Sequence, residues 1–535
     1  MRSRLRLETK PTVFIPSVVV ILLFLLVGVA ATEQLGRVFE TVQDAIASTL
    51  DWYYILTVTA FLAFVIWLGA SRFGRMRLGG DDERPRYRYL TWFALLFTAG
   101  MGIGLVFWSV AEPLTHLADP PMAAAGTPAA AREAMQFTFF HWGLHAWAVY
   151  VVVGLALAYF AYRHDLPLTM RSALYPLLGE RIHGRLGDVV DVFAVFGTMF
   201  GVATSLGFGV LQVNAGLVSL GLLETSTTAT QLVIIATVTL AAIGSLLLGL
   251  DKGILRLSLT NLGVASALMV FVLIAGPTLF VLRSFVEQVG VYFQQLPEMM
   301  LWTDAREDSG WQAGWTVFYW GWWMSWSPFV GLFIARVSRG RTIREFVFGV
   351  LLVPTMFTFL WMAIFGNTAI SLDGLAGGEL SDAVAEDPAV ALFGLLEQLP
   401  LSTITTLLAI LLVATYFVTS SDSASLVIDL LTSGGNTDPP KLQRVFWAVL
   451  EGAIAGVLLV TGAGGLQALQ TAAITTALPF SVIMILACVG LVRALYVDER
   501  GRPLQRAVLW SEDHDDVPEA YGRHSPVSDG IDGAP

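Results

Sequence analysis

The sequence predicts an all-α polytopic membrane protein, and three observations carry that prediction. Of 535 residues, 55% are hydrophobic and only 14% charged, against roughly a quarter charged in soluble globular chains. Mean hydropathy is +0.68, which rules out a water-soluble domain. Apolar runs of membrane-crossing length, about 20 residues each, recur from Val13 to Val492. The formal net charge of −11 is the opposite of the concentrated basic surface that nucleic acid requires, so no nucleic-acid partner is expected. The single cysteine, Cys488, excludes an intrachain disulfide and a cysteine-based metal site.

Twelve runs qualify as spans: 13–31, 52–70, 90–110, 135–162, 189–220, 231–250, 257–282, 313–335, 346–368, 403–430, 445–461 and 466–492. Basic residues before the first run and Val29-Ala30-Ala31 after it imitate a signal peptide. The run exceeds a typical signal core, about 7–15 residues, and is read as a span. On this division all but four of the 31 lysines and arginines lie on the side of the termini; Arg37, Arg132, Arg283 and Arg306 lie opposite. By the positive-inside rule both termini are cytoplasmic, and the protein sits in the plasma (inner) membrane. The outer loop 371–397 is acidic and is read as a solvated loop. Residues 286–300 alternate apolar and polar positions and predict an amphipathic helix along the interface. The polar end after Val492, with its acidic stretch Ser511 to Asp516, predicts an unpacked tail.

Tryptophan is the outstanding residue type, with 16 in all and a cluster at Trp315, Trp320, Trp322, Trp323 and Trp326. Interfacial placement suits Trp315 and Trp320. At helical spacing Trp322, Trp326, Phe329 and Phe333 form one stripe with Trp323 beside it, running into Ser327-Pro328, where proline predicts a break or kink. The stripe reads as one wall of a substrate cavity, with plain packing as the alternative. A second set, Trp142, Trp147 and Tyr150, shares an arc of the fourth run. Two such walls would make an aromatic box, the recurring solution for quaternary ammonium ligands, which have no N–H to donate. His141 and His145 stand at i, i+4, but no third ligand is identifiable nearby in sequence, so they read as structural rather than metal-binding.

The third run contains Gly100, Met101, Gly102, Ile103 and Gly104. Close helix packing is one reading of its glycines; backbone unwound around a ligand or ion is the other. Interrupted helices in corresponding positions of two repeats point to a transporter's midplane site, and the third and eighth runs are five apart. That spacing suggests repeats of spans 3 to 7 and 8 to 12. Hydroxyls cluster at Thr419, Ser420, Ser421 and Ser423 and at Thr204 and Ser205, suited to a small hard cation or to interhelical hydrogen bonds. Glu112, Asp188, Asp191 and Asp422 are intramembrane acids by position, and all are read as lying near helix ends. No Gly-x-x-x-x-Gly-Lys-Ser/Thr pattern supplies an ATP motor, and no nucleophile, base and orienter set suggests an enzyme.

The residues from Trp315 to Phe346, with Gly100 to Leu105, His141 to Tyr150 and Val418 to Ser423, closely resemble the betaine/choline/carnitine transporter (BCCT) family. The resemblance covers all twelve spans and leaves out the tails. It implies a LeuT-like fold: two N-terminal helices (13–89), inverted five-helix repeats at 90–282 and 313–492, an external loop at 283–312, and tails at 1–12 and 493–535. It also implies a homotrimer. Substrate-binding residues would be Met101, Trp142, Trp147, Tyr150, Trp322, Trp323 and Trp326, with Phe329 and Phe333 along the cytoplasmic pathway. One sodium would lie near Thr98, Met101, Tyr416, Thr419 and Ser420, and a second near Thr204, Ser205 and Phe329. Choline carriers of the family tend to have Asp where this chain has Gly104, and carnitine antiporters depart from the glycine pattern kept here. The expectation is therefore sodium symport of a zwitterionic quaternary ammonium solute, glycine betaine, across the lipid bilayer, with no cofactor beyond the coupling ion Na+. Alternatives are choline, ectoine, proline or dimethylsulfoniopropionate on the same fold, or an osmosensing receptor or channel.

Overall fold

A computed structural model describes residues 8–100, 102–248, 251–306, 309–375, 377–436, 439–461 and 465–507. The acidic tail sequence Ser511 to Asp516 and the basic residues Arg2, Arg4 and Arg6 lie outside them. Among the described residues there is no strand, only an isolated antiparallel bridge between Arg77 and Thr342.

The helices are α1 (Pro11–Ala30), α2 (Thr32–Ala70), α3 (Tyr89–Gly100), α4 (Ile103–Ala118), α5 (Pro128–Trp142), α6 (Leu144–His164), α7 (Tyr175–Leu178), α8 (Arg185–Ser219) and α9 (Thr228–Leu248). They continue with α10 (Asp251–Ala275), α11 (Thr278–Met299), α12 (Phe318–Val337), α13 (Ile343–Leu375), α14 (Glu379–Glu386), α15 (Ala391–Glu397), α16 (Ser402–Thr432), α17 (Lys441–Val460) and α18 (Leu466–Glu499). Among the described residues ten helical stretches are long and apolar enough to cross a bilayer, α5 and α6 counting as one. The protein is therefore a multi-pass membrane protein. The third and eighth predicted runs fall outside that ten for physical reasons. The third is divided between α3 and α4, each too short alone, and the eighth, α12, is loaded with tryptophan, whose indole is only weakly apolar.

Several boundaries depart from the sequence reading. The outer stretch 371–397, read as a solvated loop, is largely helical through α14 and α15, with Leu380, Val384, Leu392, Phe393, Leu395 and Leu396 buried, and α2 begins at Thr32, well before the second run. The fourth run is broken at Gly143, between α5 and α6. The seventh ends at Ala275 rather than near 282, because Gly276-Pro277 stops it, and the amphipathic helix starts at Thr278, eight residues early. The eighth is not broken at Pro328: α12 runs through it. Proline removes the N–H that would bond the carbonyl four residues back, here Met324. The Ser327 hydroxyl donates to Met324 O at 2.7 Å instead, so the ladder is repaired within the same turn. A π-helical turn, Ala313–Val317, leads into α12.

Burial sorts the helices into an inner set and an outer, exposed set. The best apolar window of α5–α6 is 94% buried, those of α1 and α9 only 22%. At the centre stands α12, packed against α6, α8 and α18 through glycines that let backbones approach, as in membrane interfaces generally. A Cβ at Gly331 would lie 2.6 Å from Val153 Cγ1 and 2.9 Å from Gly154 N on α6; one at Gly201 of α8 would lie 2.9 Å from Trp326 N; one at Gly321 would lie 2.8 Å from Ile474 Cα on α18. Asp188 and Asp191, flagged as intramembrane acids, are accounted for at the start of α8. Asp188 pairs with Lys10 (2.7 Å) and Arg171 (3.0 Å), and Asp191 with Arg171 (2.5 Å).

Because Gly331 meets α6 backbone, Gly331→Ala should overpack the crossing by about 1–3 kcal/mol. We expect a lower melting temperature in detergent and less folded protein. Gly244→Ala, with nothing within 4 Å of its new Cβ, should match the parent; equal melting of both variants would refute the packing argument.

Candidate functional site

The stripe on α12 is a continuous aromatic column. Trp322 stacks on Trp323 (ring centroids 4.7 Å apart) and on Trp326 (5.8 Å), and Trp326 on Phe329 (6.1 Å). Spacings of three and four residues on an unbroken helix put the rings one above another. Phe333, four residues beyond Phe329, is half-buried. Facing the column, Trp142 meets Trp323 edge-on at 4.9 Å and Tyr150 lies 6.2 Å from Trp323. Trp147 completes the second wall 5.5 Å from Tyr150. The two walls read from sequence thus meet in space. Trp320, assigned to the interface, is instead fully buried and stacked on His145 at 5.4 Å. Trp315 is half-buried with its ring 4.4 Å from His116.

The break at Gly143 builds part of this site. Interrupting a helix frees carbonyls that need partners at membrane depth. His141 O accepts the Trp323 indole N–H at 2.9 Å, and Trp142 O accepts the Thr358 hydroxyl at 3.0 Å. A side chain at 143 would drive a Cβ to 2.5 Å from Phe139 O and 2.7 Å from the Phe359 ring. The break also places His141 and His145 on different helices, so their i, i+4 spacing is not a shared helical face. The neighbours of His141 are Glu112 and His116 on α4, whose potential ligand atoms lie within 4.8 Å of one another. Third partners therefore exist in space where none was visible in sequence.

Glu112 is the residue that sequence reasoning undervalued. It is fully buried on α4, well inside the bundle rather than at a frayed helix end. Its Oε2 accepts the Trp142 indole N–H at 2.7 Å and the Tyr319 hydroxyl. Its Oε1 lies 2.7 Å from His141 Nδ1 and 3.3 Å from His116 Nε2. His141 continues through Nε2 to Thr316 at 2.9 Å. One carboxylate therefore joins α4, α5 and α12 behind the aromatic walls. The available signal was an acid inside an apolar run, a default functional suspect.

The glycine-rich third run is interrupted as expected, with Gly102 in extended conformation capping α4. A Cβ at Gly102 would touch Trp326 at 3.5 Å, while one at Gly104 would lie 2.3 Å from Trp322 Cη2. Both glycines therefore face the column. Met101 and the Thr98 and Gly100 side-chain positions lie outside the described residues. Tyr416, Thr419 and Ser420 share one turn of α16, with the Thr419 hydroxyl 3.1 Å from Tyr416 O. Thr204 Oγ1 sits 2.8 Å from Phe200 O and 2.9 Å from Leu469 O, engaged within α8 and toward α18 rather than toward Phe329. Ser205 Oγ is buried without a hydrogen-bond partner among the described residues. Asp422, the last suspect acid, is buried and accepts from Ser245 at 2.7 Å.

Comparison with known proteins gives a consistent picture. The family model described as BCCT, betaine/carnitine/choline family transporter, matches residues 12–500. An uncharacterized transporter of Mycobacterium tuberculosis is 51% identical over 92% of this chain and 84% of its own length. A glycine betaine transporter of Acinetobacter baylyi is 48% identical over 91% of this chain and 74% of its own. A glycine betaine/proline/choline transporter of Vibrio parahaemolyticus is 42% identical over 92% and 91%.

The contrast between the two column-facing glycines is testable. Gly104→Ala forces the stacked Trp322 ring to move and should reduce uptake by about tenfold or more, on the scale of overpacking a rigid site. Gly102→Ala meets only ordinary contact and should be much milder. Equal effects in a transport assay would refute the steric account.

Proposed function

We propose, from the premise that the chain belongs to the betaine/carnitine/choline transporter family, that it imports glycine betaine by sodium symport with alternating access. The family consists of transporters, not enzymes, and a multi-pass membrane protein is the form such an activity requires. The observation that carries the substrate reading is the convergence of Trp142, Trp147, Tyr150, Trp322, Trp323 and Trp326 around one place. A trimethylammonium group offers no N–H, so rings are its natural partners, at about 2 kcal/mol or more per desolvated contact.

The carboxylate end of a zwitterion has a complementary surface. Gly102 begins α4, whose first N–H groups form an anion-favouring helix N-terminus, and Trp326 is the ring closest to Gly102. The Trp326 indole Nε1 is buried without a hydrogen-bond partner among the described residues, leaving a donor for that carboxylate. Gly104 favours a zwitterion over choline. Packing of Trp322 against it leaves no space for an acidic side chain that would balance a cation lacking its own carboxylate.

Sodium coupling rests on the family resemblance and on the oxygen-rich turn Tyr416, Thr419 and Ser420. The carbonyls of the third run near Thr98 and Met101 would complete that site. The second sodium is assigned to Thr204 and Ser205 with the Phe329 region, for which the unpartnered Ser205 hydroxyl is the supporting feature. We read twelve spans by adding the divided third run (α3 and α4) and the tryptophan-rich α12 to the ten stretches, of which α5–α6 is itself interrupted. Spans 3 to 7 and 8 to 12 form the two inverted repeats of a LeuT-like fold, within a homotrimer whose termini are cytoplasmic. Coupled movement of one bundle against the other around a midplane site would give alternating access.

Uptake of labelled glycine betaine into proteoliposomes tests this directly. We expect concentrative uptake under an inward sodium gradient and none when potassium replaces sodium; sodium-independent exchange would overturn the coupling. Competition by unlabelled choline, ectoine, proline and dimethylsulfoniopropionate ranks the alternative substrates. Trp323→Leu should raise the KM for betaine by about tenfold or more, the size of one lost cation–π contact, with expression retained. Unchanged KM would remove the box from the mechanism.

A further inference from the structure

Glu112 is a buried acid with four donor-capable atoms directed at its two oxygens. The Trp142 indole N–H and the Tyr319 hydroxyl meet Oε2, and His141 Nδ1 and His116 Nε2 meet Oε1. An indole nitrogen can only donate, so Oε2 is an acceptor in this arrangement. His141 Nδ1 faces Glu112 and its Nε2 faces the Thr316 hydroxyl, which can donate to it; in that tautomer Nδ1 carries its proton toward Glu112. The set fits a carboxylate and four donors, with every lone pair of the acid engaged. Its ion-pair partners among the described residues are the two histidines.

Two of the donors are the polar edges of rings in or against the box. Trp142 meets Trp323 edge-on at 4.9 Å. Tyr319 stacks on Trp323 at 5.6 Å and on Trp322 at 6.3 Å. Cation attraction to a ring is electrostatic and grows with the negative potential of its face. A hydrogen bond from an indole N–H or phenol O–H to a carboxylate moves electron density into the ring, and low-dielectric surroundings strengthen that polarisation.

We propose that Glu112 is a specificity-determining residue, held as a carboxylate behind the aromatic wall. By accepting from Trp142 and Tyr319, it makes the box prefer a quaternary ammonium group over an uncharged group of the same shape. This rests on reading the box as the betaine site. Glu112 touches no substrate on this account; it acts through the rings it polarises, and its own charge adds attraction for a cation on their far side.

The shape-matched probe is 3,3-dimethylbutanoate, in which carbon replaces the quaternary nitrogen of glycine betaine. Affinities of both compounds are measured by tryptophan fluorescence on the full-length protein in detergent, and KM and maximal rate by betaine uptake in proteoliposomes. The parent should prefer betaine. Glu112→Gln should shrink the betaine-to-isostere affinity ratio about tenfold, through weaker betaine binding at nearly constant isostere binding. KM should rise with maximal rate largely kept, and Glu112→Asp should restore most of the ratio. Equal weakening of both ligands, or an unchanged ratio, would overturn the proposal, because a merely structural role moves both together. If Glu112→Gln does not fold, Tyr319→Phe decides. It keeps the stacked ring and removes the donor, so the ratio should fall in the same direction, and a ratio equal to the parent's overturns the proposal. A parent that binds both compounds equally, or neither, would refute the reading of the box itself, an outcome distinct from failure of the Glu112 proposal.

Discussion

Backbone polar groups cannot be left unpaired inside a bilayer, and this single constraint shapes the centre of the protein. The chain interrupts its helical ladder at two places in the buried bundle, between α3 and α4 and between α5 and α6. At the second, the groups released from the ladder are taken up by residues of the site. His141 O holds the Trp323 indole and Trp142 O holds Thr358, so α5, α12 and α13 are fixed to one another by the bonds that repair the break. Orientation of the aromatic walls and completion of the backbone hydrogen bonds are one structural event.

The same constraint explains why α12 behaves differently from its neighbours. Its proline would release Met324 O, yet Ser327 supplies the missing donor from one residue earlier. The helix therefore stays continuous and keeps its rings in register from Tyr319 to Phe329. Glycines on α6, α8 and on α12 itself then bring three helices into backbone contact with it. A broken element on one side and an unbroken column on the other make a site whose two walls are held by different means, local repair bonds for one and close packing for the other.

Most of the span pattern and the identity of the aromatic residues were legible in the sequence, because hydropathy and helical spacing report on neighbours within one helix. Trp322, Trp326 and Phe329 stack as their spacing predicts. What failed was the inference from residue type to backbone geometry. Proline at 328 predicts a break only if nothing supplies the lost donor, and a preceding serine does. Gly143 carries the actual break, at a position where a Cβ would meet Phe139 O and the Phe359 ring; the Phe359 contact is tertiary and invisible in a linear reading. Glu112 was visible as an acid in an apolar run with His116 at i+4, but its other three partners come from residues 141, 142 and 319, and only folding gathers them.

Two places on α4, its N-terminus and its middle, divide the electrostatic work of recognising a zwitterion, on the reading proposed for this site. Its N-terminus, at Gly102 beside Trp326, presents backbone N–H groups and the positive end of a helix dipole, suited to a carboxylate. Ten residues along, about 15 Å at helical rise, Glu112 places a negative charge behind Trp142 and Tyr319, suited to an ammonium group on the other face of the rings. A field whose two ends are the N-terminus of α4 and Glu112, on a single rigid helix, favours a ligand carrying both charges in the matching order. It disfavours a lone cation, which finds the positive helix end uncompensated, and a lone anion, which faces the carboxylate across the rings. Gly104 lies between these two ends with Trp322 packed onto it, and an acid at that position would cancel the positive end of the field. The absence of a side chain at Gly104 and the presence of Glu112 are therefore two parts of one arrangement.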